Sequence, residues 1–132
     1  MKTCFREKPL ILVVEDNEGV KREFEERLNI KSDNNFYIFS NDGIEIYMTG
    51  NFKTAKELIE REEFDAYFLD NQILLDNNEK GLFQNDIVEL IVNRYGPKKI
   101  FNISSHENEN KYITGRCEKS GYSILEKIDE LI

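Results

Sequence analysis

Several residue types that often signal a function are scarce in this 132-residue sequence. It has no tryptophan, one histidine, two cysteines and two prolines. The single histidine, His106, gives little support to a histidine metal site or to a histidine phosphodonor. The two cysteines, Cys4 and Cys117, lie far apart in the chain and suit a reducing cytoplasm better than a disulfide framework.

Long apolar runs and an excess of basic residues are absent as well. No apolar run approaches the roughly 18 residues that can span a bilayer, and residues 1–10 lack the apolar core of a signal peptide. With 26 acidic residues against 18 basic ones, the net charge of −8 leaves no basic surface dense enough to follow a phosphate backbone. We therefore expect a cytoplasmic protein that binds neither a membrane nor nucleic acid.

The chain has enough apolar residues for one folded domain. A hydrophobic share of 39% suits a single domain over residues 1–132 with one core. The turn-forming residues 40–43 separate two apolar segments, which form either a hairpin or one strand preceded by an extended loop. The segment 34–54 as a whole predicts no definite structure. Short apolar runs predict buried strands over residues 10–14, 64–69 and 99–103.

Amphipathic segments alternate with these strands. Asp16 or Asn17 would cap the first helix, and Gly96 followed by Pro97 would end the third. Strands that alternate with amphipathic helices favour a parallel sheet covered on both faces, whose ligands collect at the carboxyl ends of the strands. Apolar residues recur at helical spacing over residues 18–28, 52–63 and 86–95.

Polar side chains follow three of the predicted strands at the point where each strand ends. Glu15 and Asp16 follow the run LILVV, and Asp70 follows FDAYFL. Ser104 follows KIFNI. Carboxylates gathered in one pocket would attract a hard divalent cation. The sequence therefore predicts a site at this edge of the sheet.

The order and spacing of these residues resemble the receiver domain of bacterial two-component response regulators over nearly the whole chain. The matching features are the acid pair Glu15-Asp16, then Asp70, then Ser104, and a lysine near the C-terminus. The resemblance implies an α/β, flavodoxin-like fold with a doubly wound, parallel, five-stranded sheet flanked by helices.

The resemblance also implies a phosphotransfer site. Asp70 would accept a phosphoryl group from a histidine kinase or a phosphotransfer protein in a Mg²⁺-dependent reaction, while Ser104 and the lysine would contact phosphoryl oxygens. Hydrolysis of the acyl phosphate would reset the switch, so enzymatic activity is at most self-phosphorylation and autodephosphorylation at Asp70. The implied Mg²⁺ ligands are Glu15 through water, Asp16, Asp70 and the backbone carbonyl of Gln72.

Two lysines can complete this site, and they imply different ends of the fold. With Lys127, residues 122–126 are the fifth strand and the chain stops soon afterwards. With Lys119, residues 111–117 are the fifth strand, the fourth helix is lost or very short, and Ser120 caps a final helix. The apolar residues near the end recur at helical spacing and favour Lys119: Ile124, Leu125, Ile128, Leu131 and Ile132.

Several positions depart from the pattern of the family. Leu74 and Ser120 stand where family members usually have prolines, and Arg116 stands in place of the aromatic residue that typically reports phosphorylation. The loop over residues 70–81 is also longer than usual. These departures put the usual switching mode in doubt, but they leave the acceptor, the metal ligands and the hydroxyl in place.

Two hypotheses of different classes follow. The first is a stand-alone receiver that signals to a downstream protein target, because no output domain is expected in a chain that ends at Ile132. The second is a degenerate receiver that acts as a phosphorylation-independent protein-interaction module. A third, a Mg²⁺-dependent phosphatase or nuclease, needs a second catalytic acid where Asn71 and Gln72 stand. A homodimer through the last helices is a further option.

Overall fold

The structure, a computed structural model, describes residues 8–33, 35–74 and 80–131, except for the side chains of residues 74 and 80–82. The expectations that concern Cys4, residues 75–79 of the long loop, Ile132 and the side chain of Leu74 lie outside this part of the chain. The strands are β1 (Leu10–Val14), β2 (Asn29–Ser32), β3 (Tyr37–Ser40), β4 (Glu45–Thr49), β5 (Ala66–Leu69), β6 (Gln72–Leu74), β7 (Lys80–Leu82), β8 (Lys99–Asn102) and β9 (Gly115–Arg116). The helices are α1 (Glu18–Glu25), α2 (Phe52–Arg61), α3 (Gln84–Tyr95) and α4 (Gly121–Leu131).

The main sheet has seven strands in the order β2-β3-β4-β1-β5-β8-β9. Strands β4, β1, β5, β8 and β9 are parallel to their neighbours in this series, whereas β2 and β3 pair antiparallel. The fold is therefore α/β with a mostly parallel sheet, but the prediction of five strands misses two at one edge. The missed β2 has the sequence NIKS and is exposed along its length, so no buried apolar side chain marks it.

The antiparallel pairing of β3 with β4 confirms the hairpin interpretation of this region. The side-chain oxygen of Asn41 accepts hydrogen bonds from the backbone N–H groups of Gly43 and Ile44, at 2.7 and 3.0 Å. This local bonding closes the turn that the cluster Ser40-Asn41-Asp42-Gly43 predicted.

Two regions beside the carboxyl ends of the strands differ from a regular parallel α/β fold. Residues 72–74 of the predicted loop form β6, which pairs antiparallel with β7 in a small second sheet. Residues 103–114 contain neither helix nor strand, which agrees with the lost fourth helix expected if Lys119 completes the site. The fifth parallel strand, expected over residues 111–117, is reduced to β9.

The helices occupy the predicted segments with shifted ends. α1 and α2 end earlier than predicted, and α3 begins earlier, at Gln84. Asn17 caps α1 by accepting a hydrogen bond from the Val20 N–H at 3.1 Å. Gly96, with a φ of 77°, ends α3 in a conformation that favours glycine. No helix in the described ranges is long and apolar enough to cross a bilayer.

The core consists of one apolar cluster on each face of the sheet. One cluster includes Phe24 of α1 and Ile128 of α4, and the other includes Leu58 of α2 and Ile87 of α3. Both faces of β1 are covered, so all five residues of the run LILVV are buried. These clusters fix the ends of the central strands, where the polar residues lie.

Candidate functional site

The carboxyl edge of the parallel sheet collects residues from four separate parts of the sequence. Glu15 directly follows β1, Asp70 directly follows β5, and Ser104 and Lys119 follow β8 and β9. Because the carboxyl ends of parallel strands meet at one edge of a sheet, residues far apart in sequence come together here. The two acids are buried, with 3% of Glu15 and 7% of Asp70 exposed.

One lysine joins these two acids. The Lys119 Nζ lies 3.2 Å from the Glu15 Oε2 and 3.1 Å from the Asp70 Oδ1, and a third of its side chain is exposed. We call these three residues the acid–lysine cluster. The alternative lysine, Lys127, lies on α4 and pairs with Glu130 at 3.3 Å. The structure therefore places Lys119, and not Lys127, against the two acids.

The position of Lys119 depends on the contact between α4 and α1. Glu23 of α1 accepts a hydrogen bond from the Gly121 N–H at 2.6 Å and another from the Ser120 hydroxyl at 3.2 Å. A Cβ on Gly121 would lie 2.8 Å from the Val20 carbonyl oxygen, so glycine permits this close approach. Ser120 also accepts a hydrogen bond from the Ser123 N–H, as the predicted helix cap requires.

The Glu15 carboxylate is held on one side only. Its Oε1 accepts hydrogen bonds from the Asp16 and Asn17 N–H groups, at 2.9 and 3.1 Å. Its Oε2 is buried and accepts no hydrogen bond of ordinary geometry from the described residues, although it makes the ion pair with Lys119. Burial raises the pKa of Glu15, and the nearby charge of Asp70 raises it further, while Lys119 offsets part of the increase.

The charge on Lys119 is stabilised by its partners. Burial alone would lower the pKa of Lys119, but the attraction of Glu15 and the hydrogen bond and charge of Asp70 outweigh it, so that the pKa is raised. Lys119 is therefore an ammonium group at neutral pH. The acid–lysine cluster thus holds two carboxylates around one positive charge.

The other two predicted metal ligands lie beside this cluster and are exposed. Asp16 packs against Gly50 at the end of β4, where a Cβ on the glycine would lie 2.3 Å from the Asp16 Cβ. No side chain longer than hydrogen fits between them, so Gly50 sets the position of Asp16. Gln72 is the first residue of β6 and is exposed too.

Ser104 is buried on the β8 side of the edge, with 3% of its surface exposed. Its Oγ accepts a hydrogen bond from the His106 N–H at 3.0 Å and lies 3.4 Å from the His106 Nδ1. Its carbonyl oxygen accepts a hydrogen bond from the Arg116 guanidinium at 2.7 Å. The Oγ accepts in the bond with the His106 N–H, so its own proton remains for donation, either to the His106 Nδ1 or to a ligand.

A chain of amide side chains supports Ser104 and the strand before Asp70. Gln84 donates from its Nε2 to the Leu69 carbonyl oxygen at 2.7 Å and to the Asn102 Oδ1 at 2.9 Å. Asn102 also accepts a hydrogen bond from the Ser104 N–H at 2.9 Å. Asn108 donates to the Gln84 Oε1 at 2.7 Å. We call Gln84, Asn102 and Asn108 the amide network.

The oxygen atoms of this edge suit Mg²⁺ in their chemistry. Mg²⁺ is usually held by one or two carboxylates and keeps several water molecules. Glu15 and Asp70 are two buried carboxylates, and the Glu15 Oε2 lacks a hydrogen bond that a metal-bound water would supply. No group of three or more His, Cys, Asp or Glu side chains in the described residues is arranged to hold a metal. The described part of this edge therefore offers two buried carboxylates to Mg²⁺, both in contact with Lys119, and no cage of acids.

Sequence reasoning missed the residues that position the site. Gly50, Glu23, Gln84 and Asn102 act through partners that are distant in sequence, so no local pattern marks them. His106, two residues after Ser104, is exposed, and it contacts Ser104 through its backbone N–H. Comparison of the chain with protein-family models and with curated proteins finds no match.

Proposed function

We propose that this chain is a flavodoxin-like receiver domain that accepts a phosphoryl group on Asp70. One observation carries the proposal: the Lys119 Nζ lies 3.1 Å from Asp70 and 3.2 Å from Glu15 at the carboxyl edge of the parallel strands. The acid after β1, the acid after β5 and the lysine after β9 thus meet in the combination that the resemblance to receivers implies. Both acids of this cluster are buried, unlike those of an ordinary surface ion pair.

The reaction begins with an attack by Asp70. A carboxylate oxygen of Asp70 attacks the phosphorus atom of a phosphohistidine on a histidine kinase or phosphotransfer protein. The new P–O bond forms as the P–N bond breaks, and the departing imidazole nitrogen takes up a proton. Water later attacks the phosphorus atom, the P–O bond to Asp70 breaks, and inorganic phosphate leaves.

The surrounding residues lower the barrier through charge and orientation. Lys119 pairs with one phosphoryl oxygen, and the Ser104 hydroxyl donates a hydrogen bond to another. When bound, Mg²⁺ supplies the positive charge that lets an anionic carboxylate approach an anionic phosphoryl group. Asp16, Asp70 and the backbone carbonyl of Gln72 would hold it directly, and Glu15 would hold it through water. Catalysis is then mostly positioning and charge neutralisation.

Output passes to a downstream protein by binding. Residues 103–114 form an irregular segment that contains Ser104, in the region of the chain where the fourth helix is lost. A new hydrogen bond of the Ser104 hydroxyl to a phosphoryl group would therefore act on residues of this same segment, such as the exposed His106, whose N–H donates to the Ser104 Oγ.

Labelling with a small phosphodonor tests the proposal. Wild type incubated with acetyl phosphate and Mg²⁺ should gain one phosphoryl group by intact mass, and Asp70→Asn should gain none. Asp86→Asn, which changes an exposed acid on α3, is the matched control and should label like wild type. Equal labelling of wild type and Asp70→Asn, or no labelling of either, would exclude Asp70 as the acceptor.

A second function is a phosphorylation-independent interaction module of the same fold. What favours it is that the described residues gather no set of three metal-binding side chains, and that Lys119 already pairs with both acids. This alternative predicts no adduct on wild type and no Mg²⁺-dependent change in its thermal unfolding. A Mg²⁺-dependent adduct on Asp70 would exclude it.

A further inference from the structure

The strand ends that carry Asp70 and Ser104 are bridged by one buried side chain. Gln84, at the first position of α3, is 1% exposed and lies between β5 and β8. Its Nε2 donates to the Leu69 carbonyl oxygen, one residue before Asp70, and to the Asn102 side chain, two residues before Ser104. A buried polar side chain needs such partners, and Gln84 takes them from both halves of the proposed site.

The orientation of the Gln84 amide is fixed by its partners. A backbone carbonyl oxygen can only accept a hydrogen bond, so the atom that faces Leu69 is the NH₂ donor. The remaining Oε1 accepts a hydrogen bond from Asn108 at 2.7 Å, in the segment 103–114. The side chain therefore uses both donors and its acceptor, and it cannot rotate without breaking all three bonds.

Asn102 carries the same constraint to the hydroxyl. Its Oδ1 accepts from Gln84 and from the Ser104 N–H, at 2.9 Å in each case, and its Nδ2 donates to the His106 carbonyl oxygen at 2.8 Å. His106 in turn donates its N–H to the Ser104 Oγ. The backbone on both sides of the Ser104 hydroxyl is thus tied to Gln84.

We infer that Gln84 is a positioning residue that sets the distance between the Asp70 carboxylate and the Ser104 hydroxyl. The inference rests on the proposed phosphoacceptor function. Gln84 makes no contact with the phosphoryl group; it acts through Leu69 and Asn102. It also joins the site to Asn108 in the segment 103–114.

A double-mutant cycle tests this role. The variant Gln84→Met keeps the size of the side chain and removes all three hydrogen bonds. In a chain with Ser104 we expect it to slow labelling by acetyl phosphate by about tenfold to a hundredfold, because small misplacements of reacting groups have effects of this size. In the Ser104→Ala background the distance to the hydroxyl no longer matters, and the same change should alter the rate by less than about twofold.

The control variant comes from the other end of the same helix. Tyr95 donates its hydroxyl to the Ile59 carbonyl oxygen at 2.5 Å, so Tyr95→Phe also removes a side-chain bond to a backbone carbonyl. The labelling rate of each variant is divided by its folded fraction, which urea unfolding gives. After this correction, Tyr95→Phe should be labelled as fast as wild type. If Gln84→Met does not fold, Gln84→Asn keeps an amide but shortens its reach, and the same cycle applies.

Two results would overturn the inference in distinguishable ways. Equal slowing by Gln84→Met with and without Ser104, or no slowing once folding is accounted for, would leave the phosphoacceptor function standing and remove the positioning role. Failure of wild type itself to label would overturn the proposed function and the inference together.

Discussion

The carboxyl edge of the sheet has two halves that are built from different chemistry. At the ends of β1 and β5, charged side chains meet in the acid–lysine cluster. At the end of β8, neutral side chains meet in the amide network, where Gln84 and Asn102 are 1% exposed and each makes several hydrogen bonds. The acid–lysine cluster is ionic, and one of its buried oxygen atoms lacks a hydrogen bond within the described residues. The amide network is neutral, and its buried side chains have hydrogen-bond partners.

The difference separates the reactive groups from the groups that hold them. The buried Oε2 of Glu15 is paired with Lys119 by charge but is not hydrogen-bonded within the described residues, so it can still accept a hydrogen bond from a ligand. The amide network has no comparable vacancy, and a satisfied buried network is rigid. We therefore expect substitutions in the acid–lysine cluster to change chemistry most, and substitutions in the amide network to change stability and position.

Replacement of the lysine should have the largest effect. Lys119→Met leaves Glu15 and Asp70 buried beside each other without a positive charge. We expect labelling by acetyl phosphate to slow by about a hundredfold, because one preorganised charge is lost. The free energy of unfolding should fall by about 2 kcal/mol, below the 3–5 kcal/mol typical of a fully buried pair, because Lys119 is a third exposed.

The control for this experiment is the other lysine. Lys127→Met removes the contact with Glu130, an exposed residue three positions along the same helix, and a cation–π contact with Phe101, but it leaves the acid–lysine cluster intact. Its labelling should match wild type, and its free energy of unfolding should stay within about 0.5 kcal/mol. Loss of labelling in Lys127→Met, with normal labelling in Lys119→Met, would reverse the assignment of the site lysine.

A glycine substitution should sharpen the role of Asp16. Gly50→Ala adds a methyl group 2.3 Å from the Asp16 Cβ, so Asp16 must move. We expect a loss of about 1–3 kcal/mol in urea unfolding and weaker binding of Mg²⁺ by calorimetry. Gly43→Ala is the matched control, since its nearest contact would be an ordinary 3.6 Å. Unchanged Mg²⁺ affinity in Gly50→Ala would argue against Asp16 as a ligand.

The amide network should respond with a moderate loss of stability. Asn108→Ala removes the hydrogen bonds to Gln84 and Asn85, at 2.7 and 2.8 Å, and leaves the Gln84 Oε1 without this donor. We expect the free energy of unfolding to fall by about 1–2 kcal/mol. Asn93→Ala, on the exposed surface of α3, should stay within about 0.5 kcal/mol. An equal loss in both variants would show that the network contributes no specific stability.

The smallest effect concerns pH and Glu15. Because the pKa of Glu15 is raised above its ordinary value of 4.5, the folded chain binds more protons than the unfolded chain between 4.5 and the raised pKa. The contribution of Glu15 to the stability of wild type therefore falls as the pH rises through this window, and Glu15→Gln lacks that loss. The variant should gain stability relative to wild type between about pH 4 and about pH 7 in urea unfolding.

The exposed acid Glu89 on α3 provides the comparison for this pH experiment. The free energy of unfolding of Glu89→Gln should differ from that of wild type by the same amount at about pH 4 and at about pH 7. If the free energy difference between Glu15→Gln and wild type were also the same at both pH values, protonation of the buried Glu15 carboxylate would not be coupled to folding.

Local patterns in the sequence predicted the ionic half well. A strand that is buried on both faces has a continuous apolar sequence, and the run LILVV therefore predicted β1. The acids of the site directly follow such runs in the sequence, so a local pattern was enough to find them. The spacing of Ile124 and Ile128 predicted α4, since both are buried. That helix places Lys119 just before its start, which is why the preference for Lys119 over Lys127 agrees with the observed geometry.

The amide half could not be predicted in the same way. Gln84 contacts Leu69 and Asn102, which are 15 and 18 residues away, and polar residues at such separations have no periodicity that joins them. The edge strand β2 was missed for a related reason, because main-chain pairing with β3 stabilises it while its side chains stay exposed. Burial leaves a pattern in the sequence, and long-range hydrogen bonding does not.

The most direct test of the central claim is chemical trapping of the phosphorylated residue. Wild type is labelled with acetyl phosphate and Mg²⁺, reduced with borohydride, which converts an aspartyl phosphate to homoserine, and mapped by peptide mass spectrometry. The account predicts homoserine at position 70 alone, and none when Mg²⁺ is chelated. Reduction at Asp16, or unmodified aspartate at position 70 in labelled protein, would contradict it.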